Sequence, residues 1–313
     1  METHSHSHSL LALALALALA GCGPSADAYP FVRGDASTVD AFRAHDTGVH
    51  ADMGPPTVPN DPLENWGDAG MLGPLTGIFA LEVRVNATVV VPIMTRQLYR
   101  VRIQQSGAHV RARIQACVID LASIQGIATL AFTPGAVGAI RMHVVDIEGD
   151  YLSSTNPIGA TFTPPRTTVV IGAMLTNPET DALPTMMMPT SAIDEDMDGH
   201  PGVTIDAINV IVCHNIPQQV YAAFRASINL NGMVTDINTI EGSVDPSVDQ
   251  SILGISDGCL TVAENLQIMV QPGSAFTARR VDMTEDLNGD GNVSCPEIGW
   301  YAPRLFPDGY WLR

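Results

Sequence analysis

Two short stretches of this chain place oxygen donors at a spacing that suits a metal ion. Asp286 to Glu297 reads D-L-N-G-D-G-N-V-S-C-P-E. Asp286, Asn288 and Asp290 put three short oxygen-bearing side chains at alternate positions, and Gly291 follows where the loop must turn sharply. Asn292 would add a backbone carbonyl, Ser294 a hydroxyl or a water contact, and Glu297 a bidentate carboxylate at the twelfth position. Such a set suits a hard cation that takes about 6–8 oxygens at about 2.3–2.6 Å; Mg²⁺ fits it poorly. The second stretch starts at Asp194 and repeats the alternation with Asp196 and Asp198, then Gly199 at the turn. Its twelfth position is Ile205 rather than Glu, so a further ligand must come from elsewhere, with His200 and Asp206 as candidates.

The first loop resembles the calcium loops of EF-hands and dockerins at every ligand position. The second resembles the D-x-D-x-D-G loops of thrombospondin type 3 repeats. These resemblances imply Ca²⁺ as cofactor, in a structural role, since extracellular calcium modules often work at about 10⁻⁴–10⁻³ M. Neither loop has EF-hand helices around it. Gly299 and Pro303 follow Glu297 closely, so any exiting helix is expected to run under two turns.

Leu10 to Ala20 is an apolar run too short to span a bilayer as a helix and suited to a signal-peptide core. It leads into Leu19-Ala20-Gly21-Cys22, which resembles the lipobox of bacterial lipoproteins. That resemblance implies removal of residues 1–21, lipid on the Cys22 sulfur and attachment to a membrane of the cell envelope. Gly23 after the cysteine favours the outer membrane in enterobacterial-type sorting. Met1 to Ser9 departs from the usual signal pattern: it carries His4, His6 and His8 but no Lys or Arg. Cys117, Cys213, Cys259 and Cys295 then remain, an even number that suggests two disulfides in an exported chain. Three pairings are open. Cys259–Cys295 with Cys117–Cys213 is the expected one, because the first bond would clamp the Asp286–Glu297 loop. Zinc would need closely spaced cysteines, which are absent.

Composition narrows the classes. The net charge of −18 argues against a nucleic-acid partner. All fifteen basic residues are arginine. Residues 22–73 are rich in Pro, Gly, Asp and Ala, have no apolar period and read as a tether. Residues 74–313 read as the folded β domain, with two β sections at 74–190 and 203–313.

The elements that must position the loops have a period of two. Phe79, Leu81, Val83 and Val85 alternate with Ala80, Glu82, Arg84 and Asn86. Tyr99, Val101 and Ile103 alternate with Arg100, Arg102 and Gln104, and a turn at Ser106-Gly107 leads into a similar run from Val110 to Val118. Further strands are expected near 127–132, 140–147, 160–163 and 168–171. From Val220 to Leu230 the alternation resumes, and Asn231-Gly232 is a strong hairpin signal. With no convincing amphipathic helix, the expected fold is mostly β: an antiparallel sandwich or barrel with calcium-binding loops.

Two other features bear on chemistry. Arg84, Arg100, Arg102, Arg111 and Arg113 fall on the polar face of three consecutive strands, with only Glu82 to offset them nearby. They make either an anion site, for phosphate or lipopolysaccharide, or a solvated sheet face. Gly254-Ile255-Ser256-Asp257-Gly258 matches a hydrolase nucleophile elbow, but every histidine precedes Ser256, against the Ser–Asp–His chain order that fold requires. No catalytic motif has the right context. The expectation is a calcium-binding, non-catalytic envelope lipoprotein that acts as a binding or structural module. Its partner, whether an envelope protein, lipid or glycan, is not specified by the sequence. A β-barrel carrier of lipid and an envelope hydrolase are the alternatives.

Overall fold

A computed structural model describes residues 73–88, 92–121, 129–208, 210, 213–214, 216–259, 268–281, 285–286 and 292–307. The strands are β1 (Gly77–Thr88), β2 (Pro92–Ser106), β3 (His109–Ile119), β4 (Thr129–Phe132), β5 (Val144–Asp150), β6 (Thr161–Phe162) and β7 (Thr167–Ile171). They continue with β8 (Val203–Ile208), β9 (Gln218–Asp236), β10 (Thr239–Ile255), β11 (Met269–Val270) and β12 (Ala275–Val281). Two helices join them, α1 (Pro134–Met142) and α2 (Cys295–Leu305).

All twelve strands form one antiparallel sheet, in the order β4-β8-β9-β10-β12-β1-β2-β3-β5, with β6 and β7 on β9 and β11 on β1. The two β sections expected from the sequence are therefore interleaved: β12 lies between β10 and β1, while β4, β6 and β7 join the later strands. The path is open. Beyond the strand ladders, the bridge from Leu152 to Phe162 brings the chain after β5 to β6, without a continuous ladder between β5 and β6. The fold is sandwich-like rather than a closed barrel. The sheet doubles over so that Phe79, Val101 and Val110 share one core with Leu230, Val234 and Ile240.

That core leaves little space. Its cavity, lined by Phe79, Leu81, Val101, Leu230, Ile240 and Phe276 among others, has a volume of about 20 Å³. Small-molecule pockets measure about 300–1,000 Å³. Among the described residues the sheet is open rather than closed into a barrel, and this cavity is far smaller than such pockets.

Four sequence expectations are corrected. First, the Asn231-Gly232 pair does not turn. β9 runs straight through it, and the chain reverses at Ile237-Asn238. Gly232 instead faces Gly242 across the β9–β10 ladder. A Cβ on Gly232 would sit 2.5 Å from the Phe276 ring, so the glycine makes room for a core aromatic. A Cβ on Gly242 would collide with the Asn231 carbonyl oxygen. Second, the strand expected at 140–147 starts only at Val144, because residues 134–142 form a helix. Thr133 caps α1 by accepting a hydrogen bond from the Ala136 N–H, and Pro134 opens its first turn.

Third, α2 is eleven residues long, about three turns at about 3.6 residues per turn. Pro303 falls near its end, where one lost backbone bond costs less than it would mid-helix. Fourth, the disulfides are Cys117–Cys295 and Cys213–Cys259. Strand geometry accounts for both. Leu98 pairs with Val118 and Tyr99 with Ala116, so Cys117 is the extra residue of a β-bulge. It turns to the outer face, beside Leu98 and Ala80, where α2 packs Ile298 and Ala302. Val220 pairs with Ile255, so the chain entering β9 and the chain leaving β10 lie side by side. Cys213 and Cys259, just beyond those ends, meet there with Cα atoms 5.5 Å apart.

Two outcomes follow from this packing. Gly242→Ala should lower the unfolding free energy by about 1–3 kcal/mol through overpacking, measured by chemical denaturation; an unchanged midpoint would refute the close approach. Replacing Cys117 and Cys295 together by Ser should cost about 2–4 kcal/mol. Non-reducing peptide mapping should recover the 117–295 and 213–259 pairs and no others.

Candidate metal centre

The connection from β7 to β8 leaves the sheet at Gly172 and returns at Gly202, and three aspartates gather at its end. Backbone bonds close the base: Gly202 N donates to Ile193 O at 2.7 Å and Glu195 N to Gly202 O at 3.1 Å. Within this noose the carboxylate of Asp194 accepts from the backbone N–H groups of Asp198 (3.1 Å) and Gly199 (2.9 Å). Gly199 takes φ +92°, the left-handed turn expected of it. Asp198 accepts from His200 N at 2.9 Å and from the Thr204 hydroxyl. Asp196 accepts from Thr204 N at 2.8 Å.

Each of the three carboxylates has an oxygen within 4.8 Å of the others, an arrangement that could hold a metal ion. The charges are in tension. Burial pushes the Asp196 carboxyl above its ordinary range; the neighbouring carboxylates of Asp198 and Asp194 push the same way, against the Thr204 bond. Its Oδ1 is shielded from solvent and has no hydrogen-bond partner among the described residues. A cation would relieve both the repulsion and the orphaned oxygen.

Neighbouring groups hold the loop from outside. Glu195 turns away from the triad and its carboxylate accepts from His143 Nε2, just after α1, and from Gly172 N. Burial opposes the charged form of Glu195, but these two bonds outweigh it and hold its pKa below the usual range. His200 stacks its ring on Tyr221, with centroids 4.0 Å apart and planes 9° from parallel. Asp206, on β8, accepts from Gln219 Nε2 at 3.2 Å. Neither side chain joins the triad among the described residues. Thr204, by contrast, touches two of the three aspartates, and sequence spacing gave no reason to single it out.

The Asp286–Glu297 loop is described only at its ends; Asn288 and Asp290 lie outside the described residues. Glu297 is buried in the first turn of α2, where Oε2 accepts from Ser294 N and from Ser294 Oγ, each at 2.6 Å. Ser294 and Glu297 are thus a capping pair as well as candidate ligands. Asn292 accepts through Oδ1 from Arg100. Cys22 also lies outside the described residues.

The five arginines of the sheet face meet more acid than the sequence suggested. β5 runs beside β3 and sets Asp146 opposite Arg113 and Glu148 opposite Arg111. Arg113 forks onto Asp146, with Nε at 2.6 Å and Nη2 at 2.8 Å. Arg111 lies 3.7 Å from Glu148, and His109 reaches both Glu148 and Asp150. Arg84 lies 3.7 Å from Glu82, and Arg100 is buried; Arg102 pairs across the strands with Ile78 and Arg113. The strand that supplies the acids, expected at 140–147, runs from Val144 to Asp150, and the sequence alone does not show that it pairs with β3. Ser256 donates to Gln218 Oε1 and accepts from Gln219 N, which fixes the end of β10 against β9 and leaves its hydroxyl engaged.

Comparison with known proteins adds no relative: no family model, no curated protein and no solved structure matches this chain.

The β3–β5 charges set a pH dependence. Hydrogen bonds to Asp150 and Glu148 raise the His109 pKa above its ordinary value. Its stabilisation is therefore full below the ordinary imidazole range and is lost as pH rises through the raised folded value. The Arg113 bond lowers the Asp146 pKa, despite burial. That stabilisation is present above the ordinary carboxylate range and lost as pH falls through the depressed folded value. Denaturation of His109→Gln and of the wild type should give stability curves that converge as pH rises from about 5 to about 9. Curves that stay parallel would rule out the His109 contribution.

Proposed function

We propose that this protein is a calcium-binding, non-catalytic lipoprotein of the bacterial cell envelope, anchored through lipid on Cys22 and acting as a binding or structural module. The observation that carries the metal reading is the noose at Asp194, Asp196 and Asp198, with its solvent-shielded, unpartnered Asp196 oxygen. Its donors are all oxygen, which selects a hard cation. Carboxylates on a turn give an irregular set with room for water, which Ca²⁺ accepts more readily than Mg²⁺. The D-x-D-x-D-G order points the same way.

The role we assign to the cation is a staple. The noose ends an excursion from Gly172 to Gly202, and neutralising it stabilises the return of the chain to β8. The envelope location rests on Leu19-Ala20-Gly21-Cys22 and on an even set of disulfide-bonded cysteines. The outer membrane is the expected address, from Gly23.

Thermal unfolding of the oxidised protein in EDTA and in millimolar Ca²⁺ tests this reading. Calcium well above its dissociation constant should add about 1–3 kcal/mol. Asp196→Asn or Asp198→Asn should abolish the gain, whereas Asp290→Ala reports separately on the Asp286–Glu297 loop. The absence of any calcium-dependent shift would end the proposal.

A further inference from the structure

Methionine is a flexible filler of protein cores, yet here every methionine among the described residues is exposed, from 40% at Met94 to 89% at Met197. Three of them are consecutive. Thr185 and Met188 exchange backbone hydrogen bonds, Thr185 N to Met188 O at 3.2 Å and Met188 N to Thr185 O at 3.0 Å. Met186 and Met187 are therefore the two tip residues of a tight turn, a place where Gly, Asn, Asp or Pro usually stands. Met186, Met187 and Met188 are 46%, 86% and 70% exposed.

The turn is not a loose tip. Pro184 and Pro189 flank it, and the Pro184 carbonyl accepts a hydrogen bond from the Ser251 hydroxyl of β10. Arg225 on β9 donates to the carbonyls of Pro178 and Asp181 in the same excursion. The sheet thus holds three thioethers outward on a short, anchored turn.

A docking patch would be served as well by Leu, Ile or an aromatic. Every large hydrophobic exposed on this excursion is methionine instead, so sulfur is the property they share. Thioethers are neutral, soft donors that select Cu(I) over hard cations. Consecutive Cα atoms lie about 3.8 Å apart, so three long, unbranched side chains from one turn can close on a single ion. The net charge of −18 favours any cation at this surface. The hard carboxylates of the aspartate noose offer oxygen only, so the two sites would sort ions by softness.

We propose that Met186, Met187 and Met188 form a soft-metal site that binds one Cu(I) ion. This inference is independent of calcium at the aspartate noose. The test is an anaerobic titration of Cu(I), held by a chromophoric chelator, with the full chain carrying Cys22→Ser so that no free thiol competes. The protein should withdraw one equivalent that is lost in M186L/M187L/M188L, a change that keeps apolar bulk and removes sulfur. Ag(I), a redox-inert probe of the same softness, should shift the methyl resonances of these three residues. Equal Cu(I) uptake by the wild type and the triple variant would overturn the site, as would unmoved methyl signals. Should the triple variant fail to fold, M187L at the most exposed position should weaken Cu(I) binding at least tenfold, and an unchanged affinity would be equally decisive.

Discussion

The architecture depends on one long ladder, β9 against β10. β9 takes nineteen residues and β10 seventeen, and their register runs from the turn at Ile237-Asn238 to the pair Val220–Ile255. The other edge of β9 is shared by β8, β7 and β6 in turn, while β10 passes the sheet on to β12 and β1. A strand this long cannot stay flat, because twist accumulates along it. The ladder is also relieved by register shifts at Thr239/Ile240 and Ile252/Gly254. The glycine pair Gly232–Gly242 lets the Phe276 ring lie against the backbone where the two layers close. Core, disulfide and aspartate noose all take their positions from this ladder: Cys213 and Cys259 from its open end, β7 and β8 from its edge.

Charge is distributed to suit that frame. Most of the described arginines are on strands, where a long side chain can meet a carboxylate on a neighbour, as Arg113 meets Asp146. One such contact is buried. Arg96 and Glu82 lie 3.3 Å apart, and both are almost fully covered. A pair of that kind offsets its own desolvation only in part, so it argues for register and specificity more than for stability. In the noose, by contrast, three carboxylates converge with backbone N–H groups and one hydroxyl as their partners. The chain has placed paired charge on the sheet and unneutralised charge on a loop.

Much of this was legible in the residue order, and the failures have physical causes. The alternation in Phe79–Val85 and Tyr99–Ile103 reports the face that enters the main core, because side chains on a strand change sides at every residue, but it gives no sign that Ala80, Glu82 and Arg100 on the other face are covered too. The same rule misled at Val118: a bulge is invisible to a period-two pattern, and beyond Cys117 the faces exchange. Asn231-Gly232 carries the local chemistry of a turn, but tertiary packing used the missing Cβ for an aromatic ring instead. Thr133-Pro134 was a readable helix start, hidden because the helix is short and its residues small. The aspartate spacing was readable; the part played by Thr204 was not, since it depends on where β8 begins. The cysteine pairing could have been reached from the β9–β10 register, but only once the true turn was known.

The state of the noose before any ion arrives decides what an ion can do there. Its base is closed by backbone bonds at Ile193 and Glu195, and two carboxylates are already tied to Thr204 of β8. Glu195 ties the same turn to His143 and Gly172. Little conformational entropy remains to be lost when a cation enters, so binding energy is spent on relieving repulsion rather than on folding the loop. A site built this way acts on stability more than on shape. A cation there would secure an excursion that also carries the methionine turn, which is anchored to β9 and β10. The frame that gathers the carboxylates is the same one that holds the thioethers outward.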